Sequence, residues 1–155
     1  MAAHHAKLSA EPIDVTALMR AVVQPKDGAV ILFVGVVRNR NDGRDVVAVS
    51  YDAFVPLAER TLAAIAAETP AEVSVAVEHR TGRLAVGEAS VAIAVAAPHR
   101  VEAYEASRYV IEQIKRRLPV WKQEHYVDGD SEWLDGCCLH SSDGSDHDHA
   151  PEPRL

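Results

Sequence analysis

Residues Gly28 to Val37 read GAVILFVGVV, a run with no polar side chain and many β-branched ones. It is too short to cross a bilayer, and its valines and isoleucine suit the pleated chain better than the helix. It is read as a buried strand. Ala89 to Ala97 (ASVAIAVAA) is a second such run, closed by Pro98. Between and around them the rhythm changes. Ile13 to Val23 is read as a short helix, with Asp14 as N-cap and Pro25 beyond its end. Pro56 to Glu68 is a helix with Pro at its start and Pro70 after it. Its residues Leu57, Thr61, Leu62 and Ile65 are placed on one face. Val101 to Arg117 is the longest helix, stopped by Pro119. Val101, Tyr104, Ile111, Ile114 and Leu118 are assigned to its core stripe.

Shorter strands fill the gaps. Val46 to Phe54 is expected to pair with the first run as a hairpin, across the turn-rich loop NRNDGRD (39–45). Val73, Val75 and Val77 alternate with polar or small neighbours. Arg83 to Val86 is a brief extended piece in the turn-rich link 79–87, and Val120 to Val127 is a final strand. Residues 1–12 are expected to be a loose arm, 13–135 a single domain, and 136–155 a disordered acidic tail. Strands interleaved with helices, with hairpins among them, predict an α+β fold in which helices flank a mixed sheet.

The formal net charge is −7, but it belongs to one end. From His125 onward there are eight acidic residues and one basic residue, whereas residues 1–124 carry 15 of each. Within the balanced part, Arg108 to Lys122 holds five positive charges against Glu112 alone. A patch of that size attracts a phosphate or carboxylate. It is too compact for a nucleic-acid stripe, so no nucleic acid is expected as partner. No apolar run reaches membrane-spanning length and no secretory leader is evident, so no membrane is expected and the cytoplasm is the expected location. The adjacent Cys137 and Cys138 cannot staple a core. The tail sequence Asp146-His147-Asp148-His149 has metal-ligand types, but its spacing matches no closed zinc pattern, and no metal or cofactor is expected.

Three segments concentrate the chemistry. Arg38 ends the first strand, and Gly35 within that strand allows a close approach. Taken alone, Arg38 reads more readily as a surface arginine at a strand end than as a ligand contact. His99 and Arg100 precede the long helix, whose first N–H groups favour anions. Their plainer role is to cap that helix and be solvated. Lys115, Arg116 and Arg117 close the helix, where the dipole alone favours cations. That account does not extend to Lys122, which lies beyond Pro119.

Together and in this order, these segments resemble the large, catalytic subunit of molybdopterin synthase. The blocks that carry the resemblance are FVGVVRNRNDG (33–43), Val49-Ser50-Tyr51, EHRTGRLAVGE (78–88), APHRVEAYEA (97–106) and IKRRLPVWKQE (114–124). The resemblance implies an α/β-hammerhead-like fold with an added α+β portion. It implies formation of the molybdopterin dithiolene from cyclic pyranopterin monophosphate. Sulfur would come from the C-terminal Gly-Gly thiocarboxylate of a small ubiquitin-like subunit, and two large subunits would form the centre of a heterotetramer. By motif, Lys115 and Lys122 match the catalytic lysines, and Arg38, His99 and Arg100 the substrate-binding positions. Val36, Val37, Gln123 and Glu124 flank them and are included as pocket residues. Arg116 and Arg117 beside Lys115 are expected to favour its uncharged form, suiting it to proton transfer, with Lys122 anchoring substrate. Beyond Trp133 the sequence departs from the family pattern, with Asp135-Gly136-Cys137-Cys138 where relatives carry further basic residues.

Arg100 and Lys115 are separated on one helix by roughly 22 Å, too far for one small substrate to touch both. The expected resolution is a site completed by a second copy of the chain. Two other function classes are weighed against the enzyme: a module that docks a ubiquitin-like tail without chemistry, and a phosphate-binding regulator. Retention of both lysines argues against the first, and the missing phosphate-loop motifs against the second.

Overall fold

The computed structural model describes residues 2–134. The expected 136–155 tail lies outside the described residues. In chain order the elements are β1 (His4–Ser9), α1 (Val15–Val22), β2 (Ala29–Val36), β3 (Arg40–Asn41), β4 (Arg44–Ala53), α2 (Val55–Ala67), β5 (Ser74–Arg80), β6 (Gly82–Ala85), β7 (Ala89–Ala97), α3 (Arg100–Arg117), β8 (Val120–Tyr126) and β9 (Ser131–Leu134). They make an α+β fold with two sheets.

The first sheet has the order β1-β5-β7-β2. Only the β1–β5 pair is parallel. β5 and β7 are covered on both faces, and β7 for that reason lacks polar alternation. On one face α2 and α3 pack Leu62, Ile65, Val110, Ile114 and Leu118 against Val75, Val77, Ile93 and Val95. On the other, α1 sets Leu18 and Val22 on Ala76, Ala92, Ala94 and Ala96, whose small side chains let the helix sit close. Asp14 caps α1 as expected, its carboxylate accepting from the Ala17 N–H at 3.0 Å. Leu62 is fully buried, so Leu62→Ala should cost roughly 2–5 kcal/mol in a urea melt. The second sheet runs β3-β4-β8-β9, with β6 also paired to β4. Its core is Val37, Val46, Val49, Leu84 and Tyr126, and Tyr51 packs against both this cluster and the main one.

Four expectations need correcting. Residues 1–12 are not a loose arm, because His4–Ser9 pairs with β5 from His4↔Val75 to Ser9↔Arg80. The uncovered edge of β5 supplies hydrogen-bond partners that outweigh the weak strand signal of HHAKLS. The Gly28–Val37 run does not pair with Val46–Phe54. It lies against β7 at the sheet edge, with Leu32, Phe33 and Val36 exposed. The true hairpin is local, β3 with β4. In α3 the buried stripe is Ala103, Ala106, Ser107, Val110 and Ile114, while Val101 and Tyr104 are 56% and 62% exposed. In α2, Leu57 is exposed and Ala58 takes its place in the core.

Candidate active site

β2 ends where Val37 is fixed on both sides. Its N–H donates to the Glu88 carbonyl at 3.0 Å, and its carbonyl accepts from the Gly87 N–H at 2.8 Å. Upstream, a Cβ on Gly35 would lie 2.8 Å from a Val91 methyl, so this glycine serves the contact with β7. After Arg38 the chain folds into the β3–β4 hairpin. Asp42 and Gly43 have φ of +47° and +77°, which is what a two-residue type I′ turn requires and what Asp-Gly supplies.

The hairpin returns Asn41 to β8. The Asn41 Nδ2 donates to both oxygens of Glu124, at 2.9 and 3.1 Å. Glu124 is 1% exposed, and the Lys122 ammonium lies 3.3 Å from its Oε1. An enclosed carboxylate is sustained by hydrogen bonds and a counter-charge of this kind. Lys122 and Glu124 are two apart on a strand and so share a face. Opposite them in β4 stand Tyr51 and Val49. A narrow cleft results, walled by Val36, Val37, Arg38 and Asn41 on one side and by Tyr51, Lys122 and Glu124 on the other. It adjoins a shallow trough, also bordered by Arg38, along the Asn39–Gly43 hairpin.

Behind Tyr51 lies His79, 4% exposed. The two rings meet edge to face, centroids 5.0 Å apart and planes at 84°. His79 Nδ1 donates to the Arg80 carbonyl at 2.8 Å, which leaves Nε2 as the unprotonated nitrogen. Burial pushes its pKa down to about 4, and the nearby positive charge of Lys115 acts in the same direction. Lys115 stands in the last turn of α3, at the end from which the chain turns into β8 and Lys122.

Other expected site residues lie elsewhere. Gln123 faces the opposite side of β8, where its amide donates to Ser131 Oγ at 3.1 Å. Next to it, Ser50 Oγ and His125 Nε2 are 2.8 Å apart; burial, then Arg83, lowers the His125 pKa. His99 and Arg100 are exposed at the N-terminus of α3, and His99 makes no side-chain cap bond. The helix is unbroken from Arg100 to Arg117, so the separation of roughly 22 Å from Lys115 stands. At its far end, Arg117 grips Glu68 through two bonds of 2.7 and 2.8 Å, and Tyr109 donates to the same carboxylate at 2.6 Å. These bonds, Arg117's first, hold the Glu68 carboxyl down to about 2. Arg117's charge is thus answered by Glu68. Sequence reasoning did not single out Asn41, Tyr51 or His79 as site residues, although all three fall inside the blocks it matched.

Residues 8–117 match the family described as MoaE protein. The molybdopterin synthase catalytic subunit of Synechococcus elongatus is 44% identical over 140 residues, covering 88% of this chain and 85% of that one. Molybdopterin synthase from Staphylococcus aureus superposes with a TM-score of 0.81 at 34% identity, covering 84% of this chain and 96% of that one. A Helicobacter pylori structure, a complex of subunits 1 and 2 of molybdopterin-converting factor, has the same fold at 22% identity, with a TM-score of 0.70 over 83% of this chain and 89% of that one. The chain belongs to the MoaE family, that of the molybdopterin synthase catalytic subunits.

Proposed function

We propose that the cleft between Arg38, Tyr51 and Lys122 is where this catalytic subunit transfers sulfur to cyclic pyranopterin monophosphate. The donor is the thiocarboxylate at the C-terminus of a small ubiquitin-like partner, and the product is the molybdopterin dithiolene. One observation supports this most directly: β2, β4 and β8, far apart in sequence, bring Arg38, Lys122 and Glu124 to one cleft. Arg38 and Lys122 are fixed cations for an anionic substrate. Glu124 and Asn41 hold Lys122 in place before substrate arrives. Lys115 moves protons as sulfur replaces oxygen on the pterin side chain. Gln123 contributes backbone only.

His99 and Arg100 reach the cleft of a second copy. Two copies form the central dimer, each with a small partner at its outer end; the Helicobacter complex of subunits 1 and 2 supports pairing with a second kind of subunit. Exposed Val101 and Tyr104 on α3, and Phe33 and Val36 on β2, are apolar surface that a second copy would cover. No described helix is long and apolar enough to cross a membrane. The cytoplasm is our proposed location for the reaction. Incubation with the cyclic precursor and a thiocarboxylated small subunit should give dithiolene product with the wild-type chain and not with Lys115→Ala. Normal product from Lys115→Ala would remove Lys115 from the mechanism.

A further inference from the structure

His79 has no part in the chemistry above, yet it is a buried titratable group set directly behind the Tyr51 wall of the cleft. Lys122 lies opposite Tyr51 in the β4–β8 register. We propose that His79 is a positioning residue, which fixes the Tyr51 ring as a wall of the cleft beside Lys122. The inference rests on the synthase reading of that cleft.

Three observations carry it. The imidazole cannot turn freely, because Nδ1 is tied to the Arg80 carbonyl and the ring is enclosed. Its edge-to-face contact with Tyr51 has the geometry that aromatic pairs prefer, and such pairs contribute beyond their buried area. Tyr51 itself touches both hydrophobic clusters and the cleft, so its ring orientation is passed directly to the site. A ring held uncharged, with a pKa of about 4, adds no third cation beside the lysines. Phenylalanine could fill the space but could not donate to Arg80. Asparagine could donate but has no ring to set against Tyr51.

That contrast defines the test. Turnover of the cyclic precursor with a thiocarboxylated partner is measured for His79→Asn, His79→Phe, Tyr51→Leu and the double variant His79→Asn/Tyr51→Leu, each with a thermal melt. His79→Asn should lower kcat about tenfold, the size of a contact coupling, while KM for the precursor stays within about twofold. His79→Phe should keep most of the kcat. The double variant should be no slower than Tyr51→Leu alone, because His79 acts through that ring. Three outcomes overturn the proposal: wild-type kcat in His79→Asn whatever its melting temperature, an equal loss in His79→Phe, or losses that multiply in the double variant. The Tyr51 ring resonances give a readout without turnover: they should move in His79→Asn and not in His79→Phe, and the reverse pattern overturns the proposal too. A wild-type chain that makes no dithiolene would instead refute the synthase reading and leave the resonance test to decide on His79.

Discussion

The two ends of α3 both carry cations, but only one end is built. At the C-terminal end, Lys122 is paired to a buried carboxylate, that carboxylate is hydrogen-bonded by a hairpin, and Tyr51 is backed by an enclosed ring. At the N-terminal end, His99 and Arg100 project into solvent with no side-chain cap bond. An arranged cation stabilises developing charge without first being ordered, whereas a solvated one must lose its rotamer freedom on binding. The first end is preorganised within one chain. The second becomes a site only when something else orders it, and a second copy meets that requirement.

The comparison can be broken most severely at the built end. Lys122→Ala should reduce dithiolene formation about 100- to 1000-fold, as for loss of a preorganised charge, measured at saturating thiocarboxylated partner. A loss under tenfold would make Lys122 ordinary surface. Next comes complementation. A chain carrying His99→Ala and Arg100→Ala, mixed equally with Lys115→Ala after reversible dissociation, should recover about a quarter of wild-type activity. Half of the dimers are then mixed, and each has one intact site of two. No recovery would place both ends in separate functions.

A subtler change tests the anchor. Glu124→Gln keeps an acceptor for Asn41 but removes the charge facing Lys122, and should lower kcat/KM roughly tenfold, as for a charge-assisted bond. His79 gives a pH test of the buried wall. Its folded-state pKa of about 4 lies below the ordinary 6.5, so the unfolded chain binds the proton first as pH falls. This contribution is complete above pH 6.5 and is lost as pH drops toward 4, on the order of 3 kcal/mol in all. Urea melts at pH 7 and 4.5 should show that slope in the wild type and not in His79→Phe. The smallest effect belongs to Glu68→Gln. It breaks the Arg117 pair, but both partners are about one-third exposed, so it should cost under about 1 kcal/mol and leave turnover unchanged.

Most element boundaries were legible because prolines mark them. Pro25, Pro56, Pro70, Pro98 and Pro119 each fall within a few residues of a helix or strand end. Partners were not legible. Adjacent runs suggested a β2–β4 hairpin, but pairing across a sheet is decided by which hydrophobic faces must be covered, and β2 serves the α3 side with β7. The α3 stripe was misread by following the largest side chains. A helix lying close on a sheet buries its small residues, here Ala103, Ala106 and Ser107. At the site, the period of two along β8 separates Gln123 from Lys122 and Glu124, a distinction missed when all three were read as pocket residues. Asn41 and His79 could not be found that way. Their roles come from contacts across 83 residues in one case and through Tyr51 in the other.

The parallel strand at the start of the chain has a consequence for folding order. Ala3 bonds to the Ser74 side chain, 71 positions away, so β1 can dock only after β5 has been made. Loop closure on that scale is entropically slow to be rewarded. During synthesis and after any thermal excursion, the protein must pass through a stage with β5 laid bare, its Ser74–Arg80 backbone open to any other extended chain. Fusions or deletions at the N-terminus would lengthen that stage, and the first symptom to expect is aggregation on expression, ahead of any loss of sulfur transfer.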